Sequence, residues 1–192
     1  MSLEILMGQV VVGLINDLRT VPAIRTGNEL WADRAEFALF HVNVLADCSN
    51  STNLIFVSLK VTVAAAAGLV SAQHGGPFVP FSCSPDADPL AKDYVLTSPD
   101  ADVVNAQMHL MSAHIQTGAA LLGFAYFPLG VLYDRPDIKG SFSLTQLMTS
   151  LTPFGPFFSA DGVHPNVAGQ KILARAAAQA LNDKYNLGIP QP

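Results

Sequence analysis

The fold class is decided by the stretch Thr97–Leu129, which reads TSPDADVVNAQMHLMSAHIQTGAALLGFAYFPL. Its opening residues predict the start of a helix. Ser98 can cap the free N–H groups, Pro99 fits the first turn, and Asp100 suits the positive end of the helix dipole.

Apolar residues then recur at three- and four-residue spacing along one predicted helix face, and they are Val104, Met108, Met111, Ile115 and Leu122. Gly123 ends this helix, and the run Phe124–Leu129 predicts a strand directly after it. Upstream, the β-branched run Gln9–Ile15 (QVVVGLI) predicts a buried strand of a parallel sheet. Strand, helix and strand in this order are typical of an α/β fold.

The rest of the chain is predicted in less detail. An amphipathic helix is expected from Glu29 to Leu45, and a last helix from Asn166 to Asn186. Residues 49–89 are expected to form a long, loop-rich excursion that includes one helix, around the Val/Ala run 61–72. Residues 134–158 are expected to be a loop.

Composition limits the classes of function. The 192 residues suit a single α/β domain, and about half of them are apolar. With 10 Lys and Arg and a net charge of −5, the chain offers no basic surface for nucleic acid. The most apolar stretch, Val61–Ala72, is too short for a transmembrane segment, and residues 1–9 do not resemble a targeting signal.

The residues suited to catalysis lie before the last helix, in the stretch Ser159–Asn166 (SADGVHPN). Asp161 and His164 are three residues apart, so that Asp161 can accept the Nδ1 proton of His164. The other ring nitrogen is then free to take a proton from a nucleophile. Gly162 permits the tight backbone that this arrangement needs.

This stretch resembles the last conserved block of the SGNH (GDSL-type) ester hydrolases. The segments Val10–Pro22, Leu96–Asp100 and Leu181–Pro190 are also similar to parts of that family, in the same order. The resemblance implies a three-layer α/β/α, flavodoxin-like fold with a parallel sheet, incomplete at its N-terminus. It also implies that Asp161 and His164 are catalytic.

The family's serine nucleophile lies in a Gly-Asp-Ser-Leu-like block, and this sequence contains no such block. The nucleophile is therefore unknown. Ser159 shares a short loop with both partners and is poorly placed for attack. Cys48 and Cys83 are chemically suitable, but a disulfide or buried thiols explain them better. Asn16 is a candidate oxyanion donor, although the sequence after it matches a later loop of the family better.

Metal and cofactor sites are not expected. Only two of the five histidines, His109 and His114, are close in sequence, and their five-residue spacing places them on different parts of a helical face. The remaining histidines besides His164 are His41 and His74.

The resemblance implies a serine-type hydrolase of small-molecule or lipid esters, secreted, periplasmic or lipid-anchored in a longer parent protein. The alternative is a non-catalytic binding or assembly module on a degenerate or truncated hydrolase scaffold. Because half of a doubly wound sheet exposes a strand edge and apolar surface, we also expect self-association.

Overall fold

The computed structural model describes residues 9–87 and 91–192 and shows a mixed α/β fold. Its seven strands, named in chain order, are β1 (Val10–Gly13), β2 (Ile24–Thr26), β3 (Val42–Val44), β4 (Leu54–Phe56), β5 (Val79–Phe81), β6 (Val95–Leu96) and β7 (Ala125–Pro128). Its seven α-helices are α1 (Gly27–Ala32), α2 (Arg34–Leu39), α3 (Val57–Gln73), α4 (Ser98–Leu122), α5 (Gly130–Tyr133), α6 (Leu144–Thr149) and α7 (Val167–Tyr185).

The described strands form three small sheets. β1 pairs with β7 and β3 pairs with β5, both in parallel, whereas β2, β4 and β6 form an antiparallel sheet. The parallel pairing of β1 with β7 joins the two strands that the sequence predicted, at 9–15 and 124–129. Helices α4 and α7 both pack on this pair.

Helix α4 begins and ends close to the predicted positions, but its cap and its buried face differ from the prediction. Thr97, not Ser98, is the N-cap, and its hydroxyl accepts from Asp100 N at 3.3 Å. Gly123 ends the helix in the left-handed conformation, at φ 75°.

The buried face of α4 carries small or polar residues, at Ala101, Asn105 and Ala119. Of the predicted apolar face, Met108 and Ile115 are half-buried, whereas Val104, Met111 and Leu122 are exposed. The prediction of this face was wrong because the helix packs on a narrow two-stranded pair through side chains small enough for close approach.

The helix predicted from Glu29 to Leu45 is found only in part, because two short helices cover 27–39 and the residues after them are not helical. Helices α1 and α2 meet at Asp33, whose carboxylate accepts from Leu144 N at 3.0 Å instead of capping a continuous helix. The chain then turns at His41, which has a φ of 58°, and enters strand β3. Val42 and Val44 are buried on either side of an exposed Asn43, the alternation expected of a strand.

The excursion at 49–89 contains more regular structure than expected. It includes the predicted helix, now α3, and also β4 and β5, within the part that the structure describes. Residues 88 and 89 lie outside the described residues. In the same way, the predicted loop at 134–158 contains α6. The last helix, α7, matches its prediction within one residue at each end.

The two cysteines are joined. Cys48 and Cys83 are fully buried and form a disulfide with a Cα–Cα distance of 5.0 Å, which ties the end of the β3 segment to the chain after β5. No helix in the described part of the chain is long and apolar enough to cross a lipid bilayer.

Candidate active site

The loop before α7 holds its shape through a short set of backbone hydrogen bonds. Ser159 N donates to His164 O at 2.9 Å, and Gly162 N donates to Ser159 O at 3.0 Å. Gly162 has a φ of 68°, and a Cβ there would lie 2.6 Å from the Phe154 ring, so only glycine fits. The loop therefore has one tightly closed conformation, as the Asp-Gly sequence suggested.

The start of α7 fixes the other end of this loop. Asn166 is the N-cap, and its side-chain oxygen accepts from Ala168 N at 2.9 Å and from Gly169 N at 3.2 Å. Its amide group donates back to Pro156 O and Phe158 O at 2.9 and 3.1 Å. One side chain thus joins the helix, the loop and the segment that precedes the loop.

Within this loop the structure brings together the two predicted catalytic residues. Asp161 Oδ2 lies 2.6 Å from His164 Nδ1. The second carboxylate oxygen, Oδ1, accepts from the backbone N–H groups of Val163 and His164, each at 2.9 Å. Because both carboxylate oxygens are engaged, the side chain of Asp161 has a fixed orientation toward the imidazole.

The charge of Asp161 is strongly favoured. Partial burial raises the pKa of its carboxyl, but the hydrogen bonds from His164 N, Val163 N, the His164 ring and Ser159 outweigh this effect and lower the pKa to about 2. A carboxylate that stays ionised at neutral pH can hold Nδ1 of His164 in its protonated form and leave Nε2 as the basic nitrogen.

The imidazole itself faces outward, with 78% of the His164 side chain exposed. Among the described residues, no hydroxyl or thiol hydrogen-bonds to its Nε2. A nucleophile would have free access to that nitrogen, but the described residues do not supply one there.

Two hydroxyl groups from distant parts of the chain support the loop, and the sequence did not predict them. Ser58 Oγ, in the first turn of α3, donates to Asp161 O at 2.5 Å. Tyr133 Oη, at the end of α5, donates to Val163 O at 2.5 Å, and burial together with the charge of Asp161 raises the pKa of this phenol. No sequence signal identifies either residue, because each acts on a backbone carbonyl that is remote along the chain.

The other nucleophile candidates are not placed to attack. Ser159 Oγ lies 3.1 Å from Asp161 Oδ1 and 2.6 Å from His164 O, so it bonds to the acid and the backbone and not to the free ring nitrogen. Cys48 and Cys83 are joined in a disulfide, so neither has a thiol that could act as a nucleophile. Asn16 donates its amide to Asp134 Oδ2 at 2.5 Å.

The other histidines do not meet at a common site. His41 stacks on Phe78 and contacts Gly76 O, while His109 and His114 are exposed on α4. The described residues contain no group of three or more His, Cys, Asp or Glu side chains that could hold a metal ion.

No protein-family model, curated protein or solved structure matches the chain. The chemistry of the Asp161–His164 pair must therefore be argued from its own geometry.

Proposed function

We propose that His164 is the general base and then the general acid, and Asp161 the residue that orients it, in a serine-type ester hydrolase of the SGNH (GDSL-type) class on a three-layer, flavodoxin-like α/β/α scaffold. The observation that carries this proposal is the 2.6 Å contact of Asp161 Oδ2 with His164 Nδ1, combined with an exposed Nε2. An aspartate engaged through both oxygens and a histidine with one free nitrogen are the orienting and proton-transferring parts of a catalytic triad.

In the proposed reaction, His164 Nε2 takes the proton of a serine hydroxyl while the serine oxygen bonds to the ester carbonyl carbon. His164 then gives that proton to the departing alcohol, and the acyl group stays on the serine. His164 then deprotonates a water whose oxygen bonds to the acyl carbon. The acyl–serine bond breaks, the carboxylic acid leaves, and His164 returns the proton to the serine oxygen. Asp161 stays ionised throughout and stabilises the imidazolium.

The substrate class is a carboxylic ester of a lipid or a small acylated molecule, and the proposed reaction uses only side chains and water. The Cys48–Cys83 disulfide supports an exported protein, since disulfides persist in oxidising compartments. The serine belongs to a Gly-Asp-Ser-like block, which the 192-residue sequence does not contain.

One observation favours a second candidate, a non-catalytic binding module. Ser159 Oγ is turned toward Asp161 and both cysteines are bonded, so the nucleophile candidates within the chain are engaged elsewhere. A scaffold that has lost its nucleophile would show this arrangement.

The test compares two polypeptides, this chain and a version extended at its N-terminus by the upstream coding sequence, if that sequence carries a Gly-Asp-Ser block. We expect the extended version to hydrolyse p-nitrophenyl butyrate and to be labelled by a serine-directed phosphonate. We expect the 192-residue chain to be nearly inert, because its sequence lacks the Gly-Asp-Ser block that, in this proposal, supplies the nucleophile and the oxyanion donors. Loss of an oxyanion donor alone costs about a hundred- to a thousandfold in rate.

In the extended version, His164→Ala should remove nearly all turnover, and Asp161→Asn should cost somewhat less. The matched control is His114→Ala, an exposed histidine on α4, which should leave turnover unchanged. Activity that survives His164→Ala would refute the role of the pair, and an unlabelled, inactive extended protein would favour the binding module.

A further inference from the structure

A concave region lies apart from the Asp161–His164 loop. It is a cavity of about 630 Å³ between helix α3 and strand β5 with the chain that follows it, and neither Asp161 nor His164 lines it. Its volume is within the range typical of small-molecule sites, about 300–1,000 Å³. Leu59, Val63 and Ala67 of α3 form one wall, and Val79 and Phe81 of β5 form another.

The β5 wall is held in place by bonds on both sides. Leu45 N donates to Phe81 O at 2.8 Å, and Lys60 Nζ donates to Ser82 O at 2.8 Å. Directly after them, Cys83 is bonded to Cys48. A wall fixed in this way keeps the cavity open without a ligand, which lowers the entropic cost of binding.

Apolar side chains of α3 remain exposed inside this concave region. Leu59 is 48% exposed and Val63 is 60% exposed, although both line the cavity. Single exposed apolar residues on a convex surface need no explanation, but these two face a common space with an apolar strand opposite. Removing them from water is a source of binding free energy for an apolar ligand.

The polar groups at the rim select the charge of the ligand. Asp47 and Asp86 supply two carboxylates, and Lys60 supplies one ammonium group. The Lys60 ammonium already donates to Ser82 O and lies 5.1 Å from the centre of the Phe81 ring. Asp47 likewise accepts from Ser82 Oγ, and Asp86 also has a partner. Because two carboxylates outnumber one ammonium group among the described residues at the rim, an anionic ligand would meet net negative charge there.

We propose that this cavity is a binding site for a neutral or cationic amphiphile. The apolar body of the ligand lies between α3 and β5, and its polar end lies at the rim near Asp47 and Asp86. This site is separate from the proposed ester hydrolase chemistry and does not depend on it.

The test uses the neutral fluorescent probe N-phenyl-1-naphthylamine with the whole 192-residue chain, below the concentration at which the probe forms aggregates. We expect saturable binding of one probe per chain. Ala67→Trp should weaken binding by about tenfold or more, because the indole fills the cavity. Ala66→Trp is the matched control: both alanines are exposed on α3, but only Ala67 lines the cavity.

A second pair of variants serves if tryptophan disturbs α3. Val63→Glu should weaken probe binding, whereas Val70→Glu should not, since both valines are exposed on the same helix and only Val63 lines the cavity. Circular dichroism checks that each variant is folded. If both members of a folded pair bind the probe like the parent chain, or if both lose it equally, the cavity is not the site.

Competition tests the charge preference. Dodecyltrimethylammonium and dodecyl sulfate carry the same alkyl chain, and each is used below its micelle concentration. We expect the cation to displace the probe at the lower concentration. Better displacement by dodecyl sulfate would overturn the proposed ligand class.

Discussion

Asp161 combines a structural and a chemical task in one side chain. Its Oδ1 closes the loop on the N–H groups of Val163 and His164, and its Oδ2 orients the imidazole. The bonds that hold the loop are therefore the same bonds that keep the carboxyl ionised, with a pKa of about 2. Loss of this charge would loosen the loop as well as the pair.

This coupling predicts how stability responds to acid. The pKa of Asp161 is lower in the folded chain than in the unfolded chain, where it is about 3.9. Its contribution to the free energy of unfolding is thus complete above about pH 4 and is lost as the pH falls toward 2. Asp161→Asn keeps an oxygen that can accept from the backbone, but it removes the titration.

We expect urea unfolding between pH 5 and pH 2.5 to show a smaller loss of stability for Asp161→Asn than for the parent chain. Exposure limits the size of the difference, because 44% of the Asp161 side chain is in contact with solvent. Identical pH profiles for the two proteins would show that the hydrogen bonds at Asp161 do not favour its charged form.

At the scale of single residues, the sequence predicts the Asp161–His164 pair but not the residues that hold its loop in place. Asp161 and His164 are three residues apart, and a glycine between them permits the turn, so their contact follows from local geometry. Ser58 and Tyr133 reach the same loop from α3 and α5, across 103 and 30 residues. Such contacts depend on how whole helices pack against the loop. The residues next to Ser58 and Tyr133 in the sequence carry no sign of that packing.

Helices α3 and α4 each contain one interior glycine, and the two glycines have opposite surroundings. A Cβ at Gly68 in α3 would lie 2.1 Å from Phe40 O, a backbone atom that cannot move aside cheaply. A Cβ at Gly118 in α4 would meet no atom within 4 Å. Gly68 therefore permits α3 to pack closely on the segment before β3, whereas Gly118 has no such role.

We expect Gly118→Ala to raise the free energy of unfolding by about 0.5–1 kcal/mol, because alanine restricts the unfolded chain and favours helix. The same change at Gly68 should lower it by about 1–3 kcal/mol, since the clash with Phe40 O outweighs the helix preference. Chemical denaturation of both variants measures the two effects. Stabilisation by Gly68→Ala would show that α3 does not approach Phe40 so closely.

At the scale of elements, strong local signals were the most informative. The β-branched run at β1, the capped start of α4 and the helical pattern of 166–186 each led to an element at the predicted place. The prediction of one continuous helix at 29–45 failed at two places. Asp33 bonds to Leu144, which is remote in sequence, and this contact cannot be read from the local pattern. The strand at 42–44 is too short for its alternation of buried and exposed residues to stand out from the helical pattern before it.

The disulfide acts on the whole chain, because it closes a loop that contains β4, α3 and β5. The sequence separation of Cys48 and Cys83 is 35 residues. In the chain-entropy model, a loop of that length stabilises the folded state by roughly 3 to 4 kcal/mol. We expect Cys48→Ala/Cys83→Ala to lose about that much in chemical denaturation. Thiol titration of the denatured, unreduced parent chain should find no free thiol, and two free thiols would contradict the bond.

The sequence predicted β1 and β7 as strands of a parallel sheet, but not which strands pair with each other. Short strands such as β2, β4 and β6 carry only two or three residues each, too few for a hydrophobic period. Their antiparallel order depends on pairing between residues 28 to 42 positions apart in the sequence. A parallel α/β arrangement was therefore predictable in kind, but its division into three small sheets was not.

The surfaces that the described fold leaves open predict association between copies of the chain. Among the described strands, β1 pairs only with β7, so one edge of Val10–Gly13 has no strand beside it. At the end of α4, Leu121 is 82% exposed and Leu122 is 68% exposed. An open strand edge and exposed leucines are each typical of surfaces that self-associate.

We therefore expect the chain to elute as an oligomer in size-exclusion chromatography with light scattering. Leu121→Lys/Leu122→Lys should shift it toward the monomer, because each leucine withdrawn from water on association is worth about 1.5–3 kcal/mol and lysine forfeits that gain. The matched control is Leu39→Lys/Leu151→Lys, which changes two leucines that are 75% and 94% exposed but lie away from α4. Added charge alone would shift the oligomeric state equally in both double variants. Only a larger shift toward the monomer in Leu121→Lys/Leu122→Lys would place the interface at the end of α4. A parent chain that is a compact, stable monomer would mean that the open edge of β1 and the end of α4 do not drive association.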